Sequence, residues 1–335
     1  MELHAIIFHH NDLDGRLAGY IMYNWLKSKI YIDKIKTYEV DYNMNIPFDD
    51  LIQGKNIVYE IIIVDFSFSL EQLAALKDRG VSQENIIWID HHASAIKKYK
   101  DLNLGGLRAI GLSGAELAYL YTRGEYDLIH DETQYGVPYI SEKCYKENYF
   151  DKFPIQIRTA GNYDCWRFTD DAAITTEARA LKCGMDLCWD KAKLSTEDNG
   201  LLWDDFLKGY AFYNSLISSG RVVLNYNAQM AKKTCAKNAF ETRLVKKKYS
   251  DIKIIAINSD NHTSLLFQSV YNDYEVGIVF NFTNRDGKRD MLFSFYRLGM
   301  NPDKVIDCGE IAASYGGGGH AGAAGCHTEG DLIFK

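Results

Sequence analysis

An α/β fold, built on a mostly parallel sheet flanked by helices, follows from three observations on this sequence. Apolar, β-favouring runs of strand length alternate with stretches of helical periodicity through the first half of the chain. Several of those runs stop abruptly in Asp or His, which in parallel strands would bring polar groups to one edge of the sheet, where open α/β sheets bind their ligands. Beyond about residue 195 two long helical stretches lead to a second, smaller set of strands.

Residues 3–8 read as a central strand, followed by His9-His10-Asn11-Asp12-Leu13-Asp14-Gly15 and a helical pattern to about residue 29, the opening of a βαβ unit. Gly15 is expected to let the backbone turn into the helix. Residues 34–40 and the β-branched run 59–65 are the next strands, and residues 69–79 form a helix with Ser69 as N-cap. The run Ile86-Ile87-Trp88-Ile89 then delivers Asp90-His91-His92, with a helix over 113–121 after it. Residues 125–149, rich in Tyr, Asp and Glu and without periodicity, read as a peripheral elaboration. Helical spacing over 150–161 leads into Asn162-Tyr163-Asp164-Cys165-Trp166.

Residues 201–218 and 221–245 read as two helices separated at Ser218-Ser219-Gly220. Lys246-Lys247-Lys248 is read as a solvated charged face. Strands are expected at 252–257, 275–282 and 290–296, with helices at 262–271 and 306–314. The division predicted is a catalytic domain over 1–195, a helical linker over 196–250 and a smaller α/β domain over 251–335, with the active site in the cleft between the lobes.

Of the 335 residues 47% are hydrophobic and 25% charged, and only four are proline, which excludes a disordered or fibrous chain. The longest apolar runs, such as 56–68, are broken by charge and far short of a membrane span. The amino-terminal apolar run is too short for a secretory signal and has no basic lead-in, so a cytoplasmic protein is expected. Seven cysteines without a CxxC pair read as free thiols. A net charge of −7 argues against coating long duplex nucleic acid but is compatible with a short or small phosphorylated substrate.

Asp12 and Asp14, two apart, join His10 or His9, Asp65, His91 and Asp164 in a set of carboxylate and imidazole donors without thiolate. Such a set suits Mn²⁺, with Mg²⁺ as the alternative, better than structural zinc. Four carboxylates exceed the need of one ion, whereas two divalent ions bridged by one Asp would balance them. Near the carboxyl terminus, Gly316-Gly317-Gly318-Gly319 frees the backbone to form an anion-binding nest, and His320 adds a donor.

The set His10-x-Asp12-x-Asp14-Gly15, Val64-Asp65, Asp90-His91-His92 and Asp164, followed by Gly316 to Gly319 and His320, resembles the DHH/DHHA1 phosphoesterase superfamily. That superfamily includes RecJ-like exonucleases, nanoRNases of the oligoribonuclease-like branch, cyclic-dinucleotide phosphodiesterases and, more distantly, family II pyrophosphatases. The resemblance covers both lobes in the expected order. It implies that Asp12 binds the first metal and Asp14 the second, that Asp65 bridges them, and that His91 and Asp164 complete the second site. It implies further that Asp90 orients a ligand, that His92 contacts the scissile phosphate or its leaving oxygen, and that Arg297 joins Gly317, Gly318, Gly319 and His320 in holding substrate. Residues 125–149 and the interlobe helices depart from the family pattern.

The activity expected is metal-dependent hydrolysis of short oligoribonucleotides or dinucleotides to nucleoside 5′-monophosphates, with Tyr315 and Tyr296 as aromatic platforms near His320. An exopolyphosphatase or cyclic-dinucleotide phosphodiesterase is the alternative among enzymes, and a non-catalytic nucleotide-binding sensor the alternative of another class. A homodimer is compatible with this reading.

Overall fold

The computed structural model describes residues 2–42, 44–54, 56–125, 133–134, 137–138, 152–165, 167, 172–194, 201–285, 288–300, 306–319 and 321–335. The chain divides into two compact units, Met1–Val223 and Leu224–Lys335. Most of residues 125–149, as well as His320, lie outside the described residues.

The first unit is built on four parallel strands, β1 (Glu2–His10), β2 (Ile35–Val40), β3 (Ile57–Val64) and β4 (Ile86–Ile89), in the order β2-β1-β3-β4. The helices of this unit are α1 (Leu13–Leu26), α2 (Phe48–Leu51), α3 (Leu70–Asp78), α4 (Ala93–Lys98), α5 (Gly114–Arg123), α6 (Ile155–Asp164), α7 (Ala172–Asp186) and α8 (Leu201–Lys208). A two-residue ladder, β5 (Thr133–Gln134) with β6 (Val137–Pro138), completes it.

Side chains alternate along each strand, so both faces of the sheet carry core. Ala5, Ile7, Ile62, Val64, Ile87 and Ile89 pack with residues of α1 and α5 on one face. Ile6, Phe8, Ile61, Ile63, Ile86 and Trp88 pack with Phe66, Phe68 and Leu76 on the other. Burial on both faces explains why these strands read as continuous apolar runs in the sequence. From β1 the chain moves to one side for β2 and to the other for β3, so the strand order reverses between β1 and β3. In the register, His9 lies level with Val64, and Val64 with Ile89. The residues that follow β1, β3 and β4 therefore leave the sheet at one level.

Local signals start the helices. Asp12 caps α1, its Oδ1 accepting from Gly15 N at 2.7 Å. Ser69 with Gln72 and Ser113 with Glu116 form reciprocal capping boxes at α3 and α5. Gly15 itself sits in the first turn of α1, where a Cβ would meet the His10 backbone. Its role is close approach rather than an unusual turn.

Two expectations change further along. No break occurs at Ser218-Ser219-Gly220: α9 (Tyr210–Asn238) runs through these residues, and the interruption lies at Gly209. Gly220 is there because a Cβ would overlap the Ala180 carbonyl on α7, and Gly184 on α7 faces the Leu216 carbonyl in the same way. A close helix contact, not a turn, accounts for the glycine. The 15-residue helix α7 had not been read from the sequence.

The second unit holds a six-stranded sheet. Its strands are β7 (Phe240–Thr242), β8 (Ile254–Asn258), β9 (Val276–Arg285), β10 (Lys288–Arg297), β11 (Gly318–Gly319) and β12 (Ala323–Thr328), in the order β11-β12-β10-β9-β8-β7. All pairs are antiparallel except β8 with β9. The short helix α10 (Cys308–Ala313) precedes the glycine stretch. Residues 264–270, expected within an α-helix, form a 3-10 helix.

Lys246 reaches the Ser314 carbonyl and lies over the Tyr315 ring, while Lys248 pairs with Glu310 at 3.6 Å. Cys165, Cys183, Cys188, Cys235, Cys308 and Cys326 are all free thiols. Among the described residues no helix is long and apolar enough to cross a membrane.

Gly220→Ala is expected to lower stability by about 1–3 kcal/mol, because two helices must separate to admit one methyl group. Gly318→Ala, where nothing lies within 4 Å of the added carbon, should change stability by less than about 0.5 kcal/mol. Urea unfolding of both variants checks the contrast.

Candidate metal centre

The candidate centre is assembled from the residues that follow β1, β3 and β4 and from the carboxyl-terminal end of α6. Strand alternation separates the two histidines of β1. His9 turns to the α1 face, fully buried against Gly19, with its Nδ1 at 3.0 Å from His10 O. His10 turns to the opposite face, where its Nδ1 lies 2.6 Å from Asp12 Oδ2 and 4.0 Å from Asp65 Oδ2. His10, not His9, joins the acidic residues.

Asp65 occupies the first position after β3, with its backbone at φ 53°, the left-handed region that non-glycine residues seldom adopt. Its N–H donates to Ile89 O at 2.9 Å, which ties it to the end of β4. Both carboxylate oxygens are buried and have no hydrogen-bond partner among the described residues. His91 Nε2 lies 3.1 Å from Asp65 Oδ1 and 3.3 Å from Asp164 Oδ2. The Asp65 contact is a short approach without hydrogen-bond alignment.

Asp90 stands behind this pair. Its Oδ1 accepts from His91 N at 2.8 Å and from His92 N at 3.2 Å, and lies 2.8 Å from His92 Nδ1. Asp14, also buried, accepts from Ala115 N at the start of α5 through both oxygens, at 3.2 and 3.3 Å.

The charges press on one another. Burial, followed by the neighbouring Asp164, pushes the Asp14 carboxyl up to about 8. Burial and the charges of Asp12, Asp14, Asp164 and Asp90 raise Asp65 well above the usual carboxylate range. Burial works in the same direction on Asp12, but the hydrogen bond and charge of His10 and the Gly15 N–H outweigh it and bring that carboxyl down to about 2. At Asp90 burial is likewise outweighed, there by the His92 hydrogen bond, and the group is lowered. Burial alone would lower His91, yet Asp164 and its other acidic neighbours hold it well above its ordinary value.

Donor atoms come within 4.8 Å of one another in three overlapping groups: His10, Asp12 and Asp65; Asp65, His91 and His92; and His91, Asp164 and Cys165. Asp65 belongs to two of these groups and His91 to two. Unpartnered buried carboxylate oxygens beside imidazoles are the surroundings that a divalent cation relieves, because each ligand then gains a charge partner in place of water. The residues therefore fit the metal that the sequence implies. Asp14 belongs to none of the three groups, since its oxygens are turned to the α5 backbone.

Three features were not read from the sequence. Cys165 places Sγ 4.0 Å from His91 Nδ1, with burial pushing its thiol up to about 11. Gly114 has no room for a side chain, because a Cβ would lie 2.6 Å from Asp65 Cβ and 2.9 Å from Asp14 Oδ2. The third is a buried ion pair. Arg167 donates to Glu116 Oε1 at 2.7 Å, to Glu116 Oε2 at 3.0 Å and to Gly111 O at 3.1 Å. Glu116 is the capping-box residue of α5, so this pair ties the helix end that holds Asp14 to the segment just after Asp164. Only the helix over 113–121 was expected from the sequence; the Ser113–Glu116 cap and its partner across the fold come from the structure.

No family model matches the sequence, and no curated protein matches it either. Among solved structures, the DHH domain of a protein described as a member of a family of ribosomal proteins superposes with a TM-score of 0.59 at 14% identity, over 98% of this chain and 83% of that one. The chain has the DHH-domain fold. Two further structures are similar to it at a TM-score of 0.47 and 14% identity. The pGpG-specific phosphodiesterase PggH from Vibrio cholerae aligns over 97% of this chain and 93% of its own, and the manganese-bound exonuclease RecJ over 96% and 85%.

Of the residues expected to hold substrate in this DHH-fold chain, Arg297 ends β10, is exposed, and places its charge near Cys308. Gly318 and Gly319 pair with Gly325 and Ala324 as a short strand. Packing demands two of the glycines: a Cβ on Gly317 would meet Gly325 and Cys326, and Gly319, at φ +139°, abuts Ala323 and Ala324. Gly318 faces open space.

Stability should follow the crowded carboxylates. Asp14 keeps its proton in the folded chain up to about pH 8, whereas an unfolded Asp releases it near about pH 4. The associated stability is therefore full below about pH 4 and is lost as the pH rises through about 8. In chelator, the melting temperature is expected to fall over that window. Asp65→Asn should raise it at pH 8, and Mn²⁺ should raise it for the parent but not for the variant. Arg167→Ala, which leaves Glu116 buried and unpaired, is expected to cost about 3–5 kcal/mol in urea unfolding.

Proposed function

We propose that this protein is a metal-dependent phosphodiesterase that hydrolyses short oligoribonucleotides or dinucleotides to nucleoside 5′-monophosphates. The observation that carries the reading is Asp65, a buried carboxylate with no hydrogen-bond partner among the described residues, shared by two groups of potential ligands at the reversal point of a parallel sheet. A shared carboxylate between two ligand groups suits two ions better than one. His10, Asp12 and Asp65 would hold one; Asp65, His91 and Asp164 would hold the other, which Asp14 would join only on turning away from the Ala115 N–H. Mn²⁺ suits this oxygen and imidazole set, with Mg²⁺ as the alternative. When bound, such ions supply Lewis acidity toward a phosphoryl oxygen and lower the pKa of water.

The chain's own residues do the rest. Asp90 accepts from the His92 ring and from two backbone N–H groups, which fixes the imidazole in orientation. His92 is thereby set to contact the scissile phosphate or the departing oxygen. In the second unit, Arg297 and the Gly317-Gly318-Gly319-His320 stretch are the groups that we propose bind an anion. The acidic net charge of −7 favours such a substrate over a long polymer.

A 5′-labelled RNA dinucleotide, a long single strand, a cyclic dinucleotide and polyphosphate, each with and without Mn²⁺, form the test. Mn²⁺-dependent conversion of the dinucleotide to monophosphates in preference to the others is expected, and Asp65→Ala should lose both bound metal and turnover. Preference for polyphosphate or the cyclic dinucleotide would overturn the substrate. Full activity in Asp65→Ala would end the assignment of a shared carboxylate.

A further inference from the structure

Tyr42 follows β2 and stands at the rim of the candidate centre. Its ring centroid lies 4.7 Å from that of Phe66, 5.6 Å from that of His10 and 6.4 Å from that of His92. Phe66 is buried and lies at 35° to the Tyr42 ring, so it supports one side of the tyrosine. The His92 ring meets it edge-on at 83°, and the His10 ring is tilted at 56°. Despite these neighbours Tyr42 is 55% exposed.

The core does not account for that placement, because Phe66 already closes the apolar layer beneath it. A large aromatic ring held open to solvent beside two imidazoles of a phosphate-processing site is placed as ligand sites place their aromatic groups. The tyrosines expected to stack near the glycine stretch are differently situated. Tyr296 is half-buried against Phe267, and Tyr315 is half-buried with the Lys246 ammonium 4.5 Å above its ring.

We infer that Tyr42 is the stacking platform for the nucleobase next to the scissile phosphate, and so the residue that makes this site one for nucleotides. The inference rests on the phosphodiesterase reading and adds the residue by which the base would be recognised. A base lying on the open part of the ring would have its phosphate within a nucleotide's reach of His10 and His92. Stacking tolerates any base, because every base offers a π face, so recognition here is of a nucleobase rather than of a sequence.

Two RNA substrates test this, a 5′-phosphorylated dinucleotide and its abasic analogue with the same phosphodiester, in Mn²⁺. Tyr42→Leu is expected to raise KM for the dinucleotide about tenfold, with kcat within about twofold and the abasic analogue unaffected; Tyr42→Phe should match the parent. A binding readout is independent of turnover. Dinucleotides with 2-aminopurine at either position, mixed with protein in Ca²⁺, should be quenched at one position by the parent and by Tyr42→Phe but not by Tyr42→Leu. Equal losses on both substrates in Tyr42→Leu, or an unchanged KM for the dinucleotide, would overturn the platform while leaving the phosphodiesterase reading intact. No turnover of either substrate by the parent would end that reading and this inference together.

Discussion

Like charges crowded at one edge of a sheet are the constraint on which the rest of the first unit depends. Asp12, Asp14, Asp65 and Asp164 converge there, and Asp65 meets the others with two buried oxygens that no hydrogen bond from the described residues satisfies. Leaving such a group unpaired opposes folding by several kcal/mol in an apolar setting, by order of magnitude. The left-handed backbone at Asp65 adds strain of about 1–3 kcal/mol. An arrangement this unfavourable persists only because the surrounding structure over-determines it. The β3–β4 ladder continues into the Asp65 N–H, and apolar core covers both faces of the sheet. A bound cation would relieve that tension.

The scaffold meets the demand by placing ligands on rigid ends rather than on long loops. Asp12 is at once a helix cap and a partner of His10, so the start of α1 and the end of β1 are locked together. Gly15 and Gly114 are small for one shared reason: each lets backbone come against the centre where a methyl group would not fit. The Glu116–Arg167 pair fastens the far side, where an ion pair with several hydrogen bonds gives a fixed geometry more than it gives stability. The side chains of the candidate centre therefore have their positions set by elements that are themselves packed.

The sequence by itself determined the class of the fold and the kinds of side chain gathered at the candidate centre. Strands buried on both faces must be continuously apolar, so β1, β3 and β4 stood out, and the acids and histidines at their ends were conspicuous by contrast. The N-cap at Ser69 was legible because its signal lies within one helical turn. Only the tertiary structure decided what depends on pairs distant in the chain. The choice of His10 over His9 turned on which face of the sheet lies under α1, a matter of strand parity fixed by the whole core. Gly220 carried the composition of a break and proved to be a contact with Ala180, because a missing side chain looks the same in sequence whether the backbone turns there or another helix approaches. The Arg167 partner of Glu116 and the Tyr42 ring beside His10 and His92 were invisible for a related reason: local pattern records what a residue does to its own backbone, and only the folded chain brings together side chains tens of residues apart.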